Sequence, residues 1–318
     1  MMNPDVMDTA NGKWVSILLS LGFTEQAVSG KHSPCPMCEG KDRFRLIEKD
    51  GKARWICNQC GSGDGMNLVM LAFNMDFKTA AEKVRPLIAG ASYSTAPKKP
   101  DSAAMKRRLN KLMDMWRGAK DRETVNNYLM RRGLPKKAFN EADLRGGLID
   151  HFDPDGNNNG KMPAMIARVM TPQGKTVCLH RTYIFDICQE KKITQTVATW
   201  SGGAIRLFNA SKAEVLIVAE GIETAIAARW LYYGNNGHFV PAWATVSANG
   251  MRKLAIPKNI KKVLIMADND ASYTGQFAAY ELANRLVVRN KIEAYVYFPK
   301  TVGWDWLDAL VRHQEINN

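Results

Sequence analysis

Apolar residues recur at helical spacing in the first segment, at Trp14, Ile17, Leu18 and Leu21, and the run ends near Gly22. The same period returns over Met66–Phe73 and Asp76–Leu87, with Asp76 placed to cap the second helix and Pro86 near its end. Residues 105–132 repeat it, with Leu109, Leu112, Met113 and Trp116 on one face, until Gly133 and Pro135 stop the pattern. From about 162 to 208 the spacing shortens. Met165–Met170 and Thr176–Phe185 flank Thr171-Pro172-Gln173-Gly174-Lys175, which predicts a hairpin. Beyond 213 the pattern alternates. Val215–Val218, Ala242–Val246, Val263–Met266 and Ala294–Phe298 are short apolar strands, and Ile222–Leu231 and Gln276–Val288 are helices. Unbroken apolar strands separated by helices predict a parallel sheet covered on both faces.

Residues 91–104 are small, polar and Pro-containing, and read as a linker. Four segments follow: a cysteine-bearing module over 1–90, the linker, a basic α+β region over 105–212, and an α/β region over 213–318. The fold class expected is therefore a multidomain α+β and α/β protein. A length of 318 residues fits two or three domains, and 46% hydrophobic with 24% charged residues excludes wholesale disorder. No apolar run approaches the ~18 residues that span a bilayer. Met1-Met2-Asn3-Pro4-Asp5 lacks the basic and then apolar pattern of a secretory signal. A soluble, cytoplasmic protein without a membrane partner is expected.

The net charge of +13 is concentrated: residues 91–212 hold 22 basic and 11 acidic side chains, whereas the segments on either side are close to neutral. A polyanionic partner accounts for this, since each phosphate neutralised by Lys or Arg releases counterions. A basic surface that serves solubility alone is the other reading.

Cys35-Pro36-Met37-Cys38, 18 further residues, and Cys57-Asn58-Gln59-Cys60 form a C-x2-C…C-x2-C pattern. Each pair turns two sulfurs to one side, and two pairs complete a tetrahedron around one structural Zn²⁺. The intervening Arg43–Glu48 and Ala53–Ile56, around Asp50-Gly51, read as the hairpin of a zinc ribbon. His32 is a spare ligand candidate or a surface residue. Cys178 and Cys188 carry no ligand spacing and read as plain thiols. The hairpin bears Lys41, Arg43, Arg45, Arg54 and Trp55. Cations beside an aromatic suit single-stranded nucleic acid if Trp55 is exposed; alternatively, Trp55 packs against the N-terminal helix.

Glu220 directly follows the strand ending at Ala219, and Asp268-Asn269-Asp270 follows the strand ending at Ala267. In a parallel sheet both lie at the carboxyl edge, where such sheets place their sites. Convergent carboxylates repel unless a hard cation is bound, and oxygen ligands suit Mg²⁺ or Mn²⁺. Asp305 and Asp308 follow the next strand and can approach the same edge.

Val218-Ala219-Glu220-Gly221-Ile222-Glu223-Thr224, followed by Ala267-Asp268-Asn269-Asp270 and Gly275-Gln276, resembles a Toprim domain. Cys35 to Phe44 and Cys60-Gly61-Ser62-Gly63-Asp64-Gly65 resemble the ribbon of phage and plasmid DNA primases. His180-Arg181-Thr182-Tyr183 and Ser201 to Leu207 resemble the RNA-polymerase region of that group. The resemblance implies a DNA-directed RNA polymerase of the primase type, a nucleotidyltransferase that makes short RNA primers on single-stranded DNA. It implies Glu220, Asp268 and Asp270 as catalytic residues, Glu220 as a metal ligand or general base and the two aspartates as ligands for Mg²⁺ or Mn²⁺, with Asp305 a further acidic position in the metal set. Arg181 and Arg206 would bind nucleotide phosphates, and Lys191 or Lys192 could assist. Ribonucleoside triphosphates and a separate replicative helicase are the implied partners, in a bacterial cytoplasm and from a phage, plasmid or other mobile element. Where many relatives carry a basic residue before the first late acid and Asn before the last, this chain has Trp304 and Leu307. No Gly-x4-Gly-Lys-Ser/Thr run occurs in the sequence, so no P-loop helicase lies within it. A Toprim-type nuclease and a non-catalytic single-stranded-DNA-binding replication or mobilisation factor are the alternatives.

Overall fold

The computed structural model describes residues 6–49, 51–92, 102–153, 157–185, 189–194, 196–197 and 201–317. Two compact units, Met1–Pro100 and Asp101–Asn318, divide the chain.

In the first unit, α1 (Val6–Thr9), α2 (Trp14–Ser20) and α3 (Glu25–Val28) precede the strands β1 (Phe44–Lys49), β2 (Lys52–Cys57) and β3 (Gly61–Asp64). The strands form an antiparallel sheet, and α4 (Gly65–Ala72) and α5 (Phe77–Ile88) follow. The expected hairpin forms in register from Phe44↔Cys57 to Lys49↔Lys52. β3 was not legible, because Gly61-Ser62-Gly63-Asp64 has no apolar alternation; pairing with β2 alone defines it. Strand β2 turns Ala53, Trp55 and Cys57 inward. They pack in one core with Phe44, Leu46, Trp14, Ile17, Leu18 and Val84. Asp76 caps α5 as expected, accepting the Thr79 N–H at 2.8 Å.

The second unit opens with α6 (Ser102–Gly118), α7 (Arg122–Arg131) and α8 (Lys136–Phe139). The expected linker thus ends earlier than 104, since α6 starts at Ser102; its stretch 93–101 lies outside the described residues. On α6, Leu112 and Trp116 are buried but Leu109 is 38% exposed, so the predicted apolar face is covered only in its second half.

Strands β4 (Leu144–Phe152), β5 (Asn158–Met170), β6 (Thr176–Ile184), β7 (Gln189–Ile193) and β8 (Ala204–Arg206) come next. Then β9 (Val215–Ala219), α9 (Ile222–Asn236), β10 (Ala242–Ala244), α10 (Ala248–Lys253) and β11 (Lys262–Met266) alternate. The chain closes with α11 (Thr274–Arg285), a π turn over Leu286–Asn290, β12 (Glu293–Tyr297) and α12 (Trp306–Asn317).

All of these strands join one sheet in the order β12-β11-β9-β10-β8-β5-β6-β7, with β4 also on β5. The expected parallel part is β12-β11-β9-β10. β8 pairs antiparallel with both β10 and β5, so the segments 105–212 and 213–318 share a sheet rather than forming separate ones. The 13-residue β5 allows this: one side pairs β4 up to Ala167, then β8 at Val169 and Met170. In β9, Leu216 and Val218 enter the core beneath α10 and α11, while Ile217 and Ala219 enter the opposite one, beneath α9. Two covered faces explain the unbroken apolar run. β12 is an edge strand, and its Tyr295 and Tyr297 are about half exposed.

Candidate active site and metal centre

Two turns bring the cysteines together. Cys35 and Cys38 flank a tight loop in which the Met37 N–H donates to Cys35 Sγ at 3.5 Å, and Cys57 and Cys60 close the β2–β3 connection. Sγ···Sγ separations are 3.8 Å for Cys35–Cys60 and 3.7 Å for Cys38–Cys57, and all four sulfurs lie within 4.8 Å of one another. A tetrahedron with Zn–S of about 2.3 Å has edges of about 3.8 Å, so the donor set and its spacing fit Zn²⁺. Burial pushes the Cys35 and Cys60 thiols up, and neighbouring thiols add to this at Cys60. A bound dication would reverse it by stabilising the thiolates. Four thiolates fill a tetrahedron, so the centre is structural. His32 stays outside it, exposed, with Nδ1 2.9 Å from the Asp42 carbonyl.

The carboxylates meet at the carboxyl ends of β9 and β11, which are adjacent and in register from Lys262↔Val215 to Met266↔Ala219. Glu220 leaves β9 and Asp268 leaves β11. The chain runs from β9 to β10 on one side and then to β11 on the other, which makes this edge the topological switch point. Asn269, between the two aspartates, is buried and fastens the loop: its Nδ2 donates to the Pro299 carbonyl at 2.8 Å, and its Oδ1 accepts from Gln276 Nε2 at 3.0 Å. Trp306 Nε1 donates to the Ala267 carbonyl at 3.1 Å, anchoring the strand end from α12. Inward Asn leaves the flanking Asp side chains at the edge.

Burial, then the charge on Asp270, pushes Glu220 up to about 6. Burial, then Asp305, Glu220 and Asp270, pushes Asp268 up to about 7. Lys191 opposes both shifts. Asp268 Oδ1 is buried and has no hydrogen-bond partner. An orphaned carboxylate oxygen among hard oxygen donors fits a divalent cation such as Mg²⁺ or Mn²⁺. Among the described residues, only the cysteine quartet draws three or more ligand atoms within 4.8 Å of one another.

Asp305 Oδ2 accepts from Thr224 Oγ1 at 3.4 Å, and its charge bears on Asp268. Its Oδ1 accepts the N–H groups of Leu307 and Asp308, at 2.6 and 3.0 Å, and Asp308 Oδ2 accepts the Asp305 N–H at 3.0 Å. Asp305 is therefore the N-cap of α12 and Asp308 its capping-box partner at the third helical position, and only Oδ2 of Asp305 is left outside the cap.

Other predicted residues fall elsewhere. Lys41, Arg43 and Arg54 are exposed on the ribbon. Trp55 is 2% exposed and stacks on Phe44 at 6.1 Å, so it is a core residue and offers no face to a base. The side-chain alternation of β6 turns Arg181 away from His180 and Thr182. Arg181 donates to Tyr183 Oη at 2.9 Å. Arg206 lies 4.8 Å over Trp243 and donates to the Thr171 and Pro172 carbonyls. It lines a cavity of about 610 Å³ with Arg168, Asp143 and Asn259, and none of the edge carboxylates lines that cavity. The charge on Lys191 does bear on Glu220 and Asp268. Lys191, offered by the resemblance only as an alternative to Lys192, bonds Glu223 Oε2 at 3.2 Å; its strand register, Thr182↔Lys191, was the missing information. Lys192 instead pairs with Glu190 at 2.9 Å. Cys178 is buried, and Cys188 lies outside the described residues.

The chain thus combines a four-cysteine ribbon with a Toprim-type edge, Glu after one parallel strand and Asp-x-Asp after its neighbour. Residues 30–66 match the family described as the zinc-binding domain of primase-helicase, and residues 215–315 match the Toprim domain. The chain thus carries both domains. Residues 106–207 match a domain of unknown function, DUF7146. Similar solved structures include a DNA primase domain from Pseudomonas aeruginosa, at 17% identity over 64% of this chain and 74% of that one, with a TM-score of 0.43. The primase fragment of the bacteriophage T7 primase-helicase protein is similar at 16% identity over 90% and 96%, with a TM-score of 0.42. The DnaG primase catalytic domain bound to ssDNA is similar at 15% identity over 67% and 79%, with a TM-score of 0.45. Among the described residues, no helix is long and apolar enough to cross a membrane.

Proposed function

We propose that the protein is a DNA primase that joins ribonucleotides into short RNA primers on single-stranded DNA. The observation that carries this reading is the convergence of Glu220, Asp268, Asp270 and Asp305 at the switch-point edge, with one Asp268 oxygen buried and unpartnered. Asp268 and Asp270, with Glu220 and Asp305, would hold Mg²⁺ or Mn²⁺. Such an ion, when bound, lowers the cost of bringing a 3′-hydroxyl to an anionic α-phosphate and supports pyrophosphate as it leaves. Glu220, with its carboxyl already raised toward neutrality, is suited to take the hydroxyl proton. Lys191 supplies positive charge for the triphosphate. Lys41, Arg43 and Arg54 contact template phosphates from the ribbon, and Arg181 and Arg206 contact the nucleic acid away from the carboxylates. In this role the protein works in the cytoplasm of a bacterium, beside a separate replicative helicase, and is encoded by a phage or plasmid.

The test is incorporation of labelled ribonucleotides on single-stranded DNA with Mg²⁺ or Mn²⁺. Primers are expected. Nicked duplex without primers would mark a Toprim-type nuclease, and retained binding with neither product would mark a non-catalytic replication or mobilisation factor.

A further inference from the structure

Glu223 is the one carboxylate near the edge that is sealed from it. It is 3% exposed, in the first turn of α9, one helical turn beyond Glu220. Both of its oxygens are occupied. Tyr128 Oη, from α7, donates to Oε1 at 2.6 Å, and Lys191 Nζ, from β7, donates to Oε2 at 3.2 Å. Burial works against the charge on Glu223, but Lys191 and then the Tyr128 hydrogen bond outweigh it and hold the carboxyl below its ordinary range. The Lys191 side chain remains 44% exposed and extends from β7, the last strand in the sheet order. An unpartnered lysine on an edge strand samples many rotamers. This one is tied to a carboxylate whose own rotamer is set by a third element.

We propose that Glu223 is a positioning residue that holds the Lys191 ammonium at the first turn of α9, at the carboxyl edge of β9, where it receives the triphosphate of the incoming nucleotide. This rests on the primase reading above. Helix α9 begins directly after Glu220 and Gly221, so the lysine bonded to Glu223 in its first turn is held at the carboxyl end of β9. An arriving triphosphate then meets a cation already in place, and less ordering entropy is lost on binding. Glu223 itself touches no reacting atom. A merely structural ion pair would stabilise the fold without regard to nucleotide.

The experiment uses the full chain and reads ATP–Mg²⁺ binding and primer synthesis separately, with thermal melting as the check of folding. Glu223→Gln keeps an acceptor for Tyr128 but removes the charge that draws Lys191. It is expected to raise the Kd and KM for ATP about tenfold with a smaller change in kcat. Lys191→Ala should lose as much, Lys191→Arg should recover part, and the double variant should be no worse than Lys191→Ala alone. Tyr128→Phe leaves both charges in place and should give a smaller loss of the same kind, which keeps the proposal testable if the Gln variant does not fold. Additive losses, or lowered melting with unchanged ATP affinity, would overturn it, as would wild-type protein that binds no ATP. Coupled losses in ATP binding without any primer synthesis would uphold the role of Glu223 and remove the primase reading; primer synthesis without coupling would do the reverse.

Discussion

Gly275 backs directly onto Asp270: a Cβ placed on this glycine would lie 3.2 Å from Asp270 Oδ2 and 3.5 Å from the Asp268 carbonyl oxygen. The second residue of α11 therefore sets how close the helix comes to the acidic loop. Gly275→Ala should displace the Asp270 carboxylate by a few tenths of an ångström. The Mg²⁺ concentration for half-maximal primer synthesis is expected to rise several-fold. Melting temperature should hold or increase, since Ala favours the helix by up to about 1 kcal/mol. Parallel Mg²⁺ titrations and melts check this, and an unchanged Mg²⁺ requirement would remove Asp270 from the metal site.

Asp268→Ala and Asp270→Ala should each lower primer synthesis by at least about two orders of magnitude while leaving single-stranded DNA binding near normal. These carboxylates repel template phosphates, so losing them does not weaken the template contacts. Glu220→Gln keeps shape but loses basicity and charge, and should be impaired to a similar degree. Asp308→Ala should instead destabilise α12 by roughly 0.3–1.5 kcal/mol through loss of the capping-box bond to the Asp305 N–H, with a small effect on turnover. Primer yield and gel-shift affinity measured on the same preparations separate these outcomes.

Proton and metal linkage follow from the raised carboxyls. Asp268, at about 7, and Glu220, at about 6, hold protons in the folded chain that the unfolded chain has already released. Without a divalent cation, the contribution of these two groups to stability is therefore fullest below the ordinary carboxylate range and is lost as pH rises through 6 and 7. Mg²⁺ should raise the melting temperature more at pH 8 than at pH 5, because at low pH it must displace those protons. Melting curves with Mg²⁺ and with a chelator test the sign, and Asp268→Asn should flatten the chelator profile.

One Zn²⁺ per chain is expected by elemental analysis. Cys35→Ser or Cys57→Ser should lose the metal and unfold the unit Met1–Pro100, since a structural zinc site contributes about 10–16 kcal/mol of binding energy to folding. The unit Asp101–Asn318 has its own sheet and cores and should survive as a protease-resistant fragment. A variant that keeps a folded ribbon without zinc would contradict the assignment.

Trp55→Ala should cost about 3–5 kcal/mol of stability in the ribbon unit, as expected for a large aromatic removed from a packed core. If Trp55 instead stacked on bases, Trp55→Phe would weaken single-stranded DNA binding while leaving the melt unchanged. The buried ring predicts the opposite pattern, which melting and binding on one variant distinguish.

Features carried by short runs of residues were legible in the sequence alone. The C-x2-C pairs, the apolar strands β9 and β11, and the acids just beyond them depend on spacing within a few positions, and local geometry places them wherever the segment goes. Asp76 as a cap is of the same kind. Only the tertiary structure decided which side of β2 carries Trp55, because a one-residue change of strand face converts a stacking platform into core. It alone joined 105–212 to 213–318, through a three-residue β8 too short to carry a period of its own. It also brought Lys191 to Glu223, 32 positions apart in the chain, and kept Arg206 away from the acids. Those relations are set by strand register and by the pairing of distant segments, and a linear pattern of polar and apolar residues does not encode which lysine on an edge strand will find a buried carboxylate.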